Sequence, residues 1–168
     1  PLLPEIQKIS ATLMSGGGGG ELPDGPFGAE FGAVDLARKQ TLFVAGVAAQ
    51  KHLQALEDEQ EVLAWLADMA IQTYTMESAV LRAANVADLV DEKGLAARRA
   101  AARLVIEIGM PIVEAAAKQV LAASAQGEEL GGMLAMHGRL KRRMPFDVRE
   151  QGRPLARAGI EAEGYPFG

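Results

Sequence analysis

Residues 47–93 read VAAQKHLQALEDEQEVLAWLADMAIQTYTMESAVLRAANVADLVDEK, without a single glycine or proline. So long a stretch free of both breakers predicts helix, and it divides in two near Glu57 to Gln60, where Glu57, Asp58, Glu59 and Glu61 crowd together. In the second part Val62, Leu66, Met69, Met76 and Val80 recur at steps of three and four, with Thr73 in the one polar place. That is the period of a helix packed along one face. Working outward, a first helix is expected over about Ala33 to Leu56, a second over about Gln60 to Leu89, a third over about Leu95 to Ala125 and a shorter fourth over about Glu128 to Arg143, stopped by Pro145. Short links force neighbours to run antiparallel, so the fold class is all-α: an antiparallel up-down four-helix bundle.

The division of the chain follows from the same breakers. Residues 1–32 hold a short amphipathic piece (Ile6 to Met14), a pentaglycine run (Gly16 to Gly20) and the turn-rich ELPDGPFGAEFG, and are read as a flexible linker. The bundle occupies 33–145. The tail, 146–168, has no sustained period and is expected to be irregular, anchored through Tyr165, Pro166 and Phe167. Within helix one the core row is expected at Leu42, Ala45, Ala49, Leu53 and Leu56, which leaves Phe43 and Val47 to one side as candidates for a docking face. In helix three the row is Ala101, Ala102, Val105, Ile108, Ile112, Val113, Ala116 and Val120. Pro111 is expected to bend that helix.

Composition narrows the classes of function. The 168 residues are about half apolar and poor in aromatics, and the net charge is −5, which argues against nucleic-acid binding. There is no cysteine, so thiolate catalysis, disulfides and cysteine metal sites are excluded. The longest apolar run, LFVAGVAA, is shorter than the ~20 residues a bilayer span needs. Without a signal-peptide pattern the expected location is cytoplasmic. The start PLLPEIQK, with no initiating Met, is read as the edge of a longer polypeptide.

Residues that could carry chemistry are few. His52 and His137 are preceded at three residues by Ala49 and Leu134, not Glu, so the Glu-x-x-His pairs of di-iron bundles are missing and no metal site is expected. Both histidines are placed at the helix surface or bundle edge. Glu77 falls mid-way across an apolar face and needs a counter-ion; in an antiparallel pair it lies level with Arg38 and Lys39. Arg98 is placed similarly on helix three. Glu77 has two readings, a proton-transfer carboxylate with a raised pKa or a structural ion pair that fixes register. No second acid, nucleophile or cofactor motif converges on it, and the structural pair is preferred. Arg139, Lys141, Arg142 and Arg143 form a basic patch that would suit an anionic membrane surface or the dipole of a helix C-terminus. No Ser-His-Asp order, H-E-x-x-H, P-loop or G-x-G-x-x-G is present.

The segment EDEQEVLAWLADMAIQTYTMESAVLRA (Glu57 to Ala83) resembles the C-terminal helical region of acyl-CoA dehydrogenases of the larger, very-long-chain type, including bacterial members. PLLPEIQKI and the run FVAGVAAQK (Phe43 to Lys51) agree with it. The likeness covers residues 1–90 well and the third helix more loosely. It implies a parent flavoprotein that oxidises acyl-CoA to 2,3-enoyl-CoA with a Glu base and FAD. The family's E-G-T-N-like sequence around that base does not occur here, so no catalytic, cofactor-binding or metal residue is carried over, and FAD belongs to the parent and not to this piece. The implied partners are the catalytic domains of its own parent chain, in an architecture that substitutes for the tetramer of shorter relatives, with a homo-oligomer compatible. Mitochondrial relatives attach to membranes near the linker, but the glycine-rich, acidic Gly16 to Gly32 makes a poor lipid anchor. The alternative is a stand-alone helical adaptor that binds a protein partner or an anionic membrane through Arg139 to Arg143.

Overall fold

The structure, a computed structural model, describes residues 25–164 and Phe167. It is all-α: α1 (Gly28–His52), α2 (Gln60–Asn85), α3 (Glu92–Ser124), α4 (Gly127–Leu140) and α5 (Val148–Glu161). Short 3-10 turns, Leu53–Asp58 and Ala87–Leu89, follow α1 and α2, and no strand occurs among the described residues. Helices α1, α2 and α3 pack on one another, α4 adds contacts to α1 and α3, and α5 lies on α3. Cross-links fix the directions. Arg38 meets Glu77 while Thr41 meets Thr73, so α1 and α2 are antiparallel. Arg99 and Arg103 of α3 meet Pro26 and Glu30, which sets α3 parallel to α1.

Helix α2 buries Val62, Met69, Thr73, Met76 and Val80 of the row its period predicts, with Leu66 partly buried against the same core. On α1 the expectation is corrected. Phe43, Val44 and Ala48 are buried, together with Val34 and Ala37, whereas Leu53 is 72% exposed and Ala49 faces solvent. Phe43 is therefore core and not a docking face, and Val47 is partly buried against the same cluster. Both rows on α1 step by three and four, so periodicity alone cannot choose between them; contact with α3 and α4 does. The row on α3 is corrected in the same way, with Ile106 and Met110 inside and Ile108 66% and Ile112 39% exposed. Gly109 sets this rotation. A Cβ there would lie 3.0 Å from the Met76 sulfur, so its absence lets α2 and α3 close on one another. Helix α3 runs unbroken through Pro111, which is on its exposed side.

Both ends also differ from expectation. Residues 1–24 of the expected linker lie outside the described residues, but α1 begins at Gly28 instead of Ala33. The reason is anchorage: Phe27 and Glu30 are both buried, and Arg103 holds the Glu30 carboxylate. The tail expected to be irregular forms α5. Its start is capped by Asp147, whose carboxylate accepts hydrogen bonds from the N–H groups of Arg149 (2.9 Å) and Glu150 (3.3 Å). Its inner side is made of Gln151, Gly152, Leu155, Ala158 and Gly159, half-buried and helically spaced but nearly without large apolar side chains, so it leaves no hydrophobic period to read. Of the expected anchor, Phe167 stands 5.2 Å from the Arg98 guanidinium; Tyr165 and Pro166 lie outside the described residues.

Candidate functional site

The residues singled out from sequence fall in three places. On the α1–α2 seam, Arg38 Nη2 lies 2.5 Å from Glu77 Oε1, with Thr41 and Thr73 hydroxyls 3.2 Å apart one turn further in. Lys39 pairs with Asp35 at 2.7 Å, and Arg38 Nη1 lies 3.9 Å from the same carboxylate. The Arg98 guanidinium donates to the Gly94 carbonyl at 3.4 Å and lies 5.2 Å from the Phe167 ring.

Beside that ion pair α2 carries a second row of residues open to solvent. On α2 the row Leu63, Ala67, Ala70, Tyr74, Glu77 and Leu81 advances by alternating steps of four and three. This is the spacing of a helix-to-helix seam. Leu63 is 36% exposed, Tyr74 72% and Leu81 42%, and Ala67 and Ala70 are exposed as well. The facing row on α1, Leu42, Ala45 and Ala49, is partly buried at Leu42 and Ala45 and open at Ala49.

The basic segment does not make one cationic face. Arg143 makes a two-pronged contact with Glu107 (2.6 and 2.9 Å), and the Phe146 N–H donates to the same carboxylate at 2.9 Å. Burial pushes the Glu107 carboxyl up, but the Arg143 hydrogen bonds, the Phe146 N–H and the Arg143 charge outweigh it and hold the group below the usual carboxylate range. Lys141 lies 3.6 Å from Glu114. Arg139 is also engaged, and Arg142 faces solvent. The cause is topological: α4 returns antiparallel along α3, so its basic end meets the acids of α3.

Two buried polar pairs escaped the sequence reading. Glu30 is 1% exposed and accepts from Arg103 Nε at 2.6 Å, with Arg99 Nε 3.8 Å away. Arg99 and Arg103 stand one helical turn apart, the one signal that pointed to a shared acid. Their guanidinium groups stack on Phe27 (4.8 Å) and Phe146 (4.7 Å), and the Arg143 guanidinium lies 5.9 Å from the Phe146 ring. His137, expected near the surface, is buried; its Nε2 lies 2.8 Å from Gln40 Oε1. Burial, followed by the charges of Lys141 and Lys118, lowers its pKa to about 4, so the imidazole is neutral at pH 7. The Gln40 amide nitrogen has no partner among the described residues.

The arrangement holds helices together. Among the described residues no three His, Asp or Glu side chains converge as metal ligands, and no helix is long and apolar enough to cross a membrane. A trench of about 590 Å³ between α2 and α3 has a floor of small residues such as Ala79 and Ala101, with Arg82 and Arg98 at its rim. Among the described residues no carboxylate lines it. Of the buried polar side chains, Glu30 is engaged by Arg103 and His137 by Gln40.

A family described as "acyl-CoA dehydrogenase, C-terminal domain" matches residues 36–141. The chain is 32% identical over 169 residues to a probable acyl-CoA dehydrogenase of Bacillus subtilis (strain 168), covering 98% of this chain and 28% of that protein. Its fold superposes with a TM-score of 0.91 and 34% identity on the crystal structure of an acyl-CoA dehydrogenase complexed with FAD from Bacillus anthracis, again over 98% of this chain and 28% of the other. The chain therefore spans little more than a quarter of the length of these relatives.

Proposed function

The chain belongs to the family of acyl-CoA dehydrogenase C-terminal domains, and from that premise we propose that it is the non-catalytic helical part of a longer FAD-dependent acyl-CoA dehydrogenase. Its work is architectural: it docks on the rest of its own polypeptide and maintains the arrangement in which acyl-CoA is oxidised to the 2,3-enoyl-CoA elsewhere. The observation that carries this reading is the family match over the α1–α4 region, in a chain that covers 28% of its relatives. The Glu30–Arg103 pair supports it, since the buried acid is held by a counter-ion in the helix packing. When bound, FAD supplies the hydride acceptor; residues of this chain contribute helix packing and none of the flavin or thioester contacts.

Purified residues 1–168, mixed with excess FAD and desalted, should emerge colourless and leave acyl-CoA unoxidised with an artificial electron acceptor. Stoichiometric retention of flavin, or turnover, overturns the proposal.

A further inference from the structure

We propose that the seam between α2 and α3, on the side away from α1, seats a helix from the part of the longer polypeptide outside residues 1–168. The inference rests on the architectural reading above and names the surface through which that docking occurs. Two hollows open on the seam. One is the trench of about 590 Å³, lined on α2 from Tyr74 onward and on α3 from Arg98 to Val105. The other, of about 370 Å³, is lined by Trp65 and Asp68 of α2 and by Pro111, Ile112 and Gln119 of α3, with two alanines between. Because α2 and α3 are antiparallel, the two linings follow one another along a single furrow. No α1 residue lines either hollow.

This furrow has both the period and the exposed apolar surface of a helix seat. From Ala101 through Val105, Ile108 and Ile112 to Ala115, α3 advances by alternating steps of four and three, and α2 keeps the matching steps from Trp65 to Val86. Rows spaced in this way present holes to a third helix laid lengthwise. Ile108 is 66% exposed and Ile112 39%, and Pro111 and Ala115 beside them are open as well. Apolar exposure clustered like this marks an interaction surface. The levels of Arg98 and Ile112 are roughly 21 Å apart at 1.5 Å per residue, so a helix of about four turns spans both hollows. Helix α4 packs on α1 and α3, and α5 on α3; of the described tail only Phe167 reaches a lining, at the Arg98 end. The occupant is taken to be the chain's own remainder because the relatives carry more than two-thirds of their length outside the region matched here. A covalently joined segment is present at an effective concentration that a free second copy does not reach.

The test uses introduced thiols, since residues 1–168 contain no cysteine. Ile108→Cys reports on the furrow, with Ala115→Cys as a second furrow variant should the first fail to fold, and Ala70→Cys on the exposed second row of α2 is the comparison. Each is made in the longer protein, with its own cysteines replaced by serine, and in residues 1–168. Maleimide labelling at the furrow should be at least tenfold slower in the longer protein, and the protection should not change on dilution. Protection that disappears on dilution identifies a second copy as the occupant and overturns the inference. Protection of Ala70→Cys without the furrow variants assigns docking to the other side of α2; the inference fails and the architectural reading stands. Equal labelling of all positions in both proteins also overturns the inference, whereas the architectural reading falls only if residues 1–168 retain flavin or turn over acyl-CoA.

Discussion

Arg38 and Glu77 join α1 to α2 through a 2.5 Å contact, yet their side chains keep 46% and 35% of their exposure. A pair so accessible to water fixes register more than it stabilises. A double-mutant cycle with Arg38→Met and Glu77→Leu should give a coupling of no more than about 1 kcal/mol, as exposed pairs do. In the longer protein Glu77→Leu should leave turnover unchanged. A folded variant without activity would make Glu77 a catalytic acid instead.

His137 gives the domain a distinct response to acid. The neutral imidazole is favoured in the folded chain, where the pKa is lowered to about 4 from 6.5. The unfolded chain therefore binds the extra proton first, and stability declines as pH falls below 6.5 until the folded chain also protonates near 4. The full loss is about 3 kcal/mol at roughly 1.4 kcal/mol per pKa unit. Urea denaturation of residues 1–168 between pH 7 and pH 4 should show this slope, and His137→Leu should remove most of it. An unchanged slope in the variant excludes His137 as the source.

Glu30 has almost no access to water and is held by Arg103. Glu30→Ala should cost about 3 kcal/mol, because it leaves a guanidinium partly buried without its counter-ion. Glu30→Gln keeps one acceptor and should cost less. Unfolding midpoints followed by circular dichroism would rank the two, and an Ala variant within about 0.5 kcal/mol of the parent, the range of ordinary surface substitutions, contradicts the account.

Much of the fold was legible because the row of larger core side chains on α2, Val62, Met69 and Val80, does face inward. On α1 two rows obey the same period, and the leucines fall on the less buried one, where Leu42 and Leu56 are partly buried and Leu53 is exposed. Only the position of α3, set by Gly109 against Met76, decides between them. Helix α5 was hidden for a related reason, since a face built from Gly152, Ala158 and Gly159 packs by closeness and not by hydrophobic mass. Among candidate site residues the Arg38–Glu77 juxtaposition could be placed from antiparallel register. The Glu30–Arg103 and His137–Gln40 contacts join residues 73 and 97 positions apart, and no local pattern encodes them.

The stacked guanidinium groups along α3 have a consequence for how the molecule comes apart. Arg99 grips Phe27 where the chain enters α1, while Arg103, one turn along, holds both Glu30 and the Phe146 ring that precedes α5. Beginning and end of the domain are thus riveted to adjacent turns of a single helix, with no slack between the rivets. Prying up either terminus strips the support from the other, so both extremities should surrender their amide protons to solvent together, in one cooperative opening and not by independent fraying.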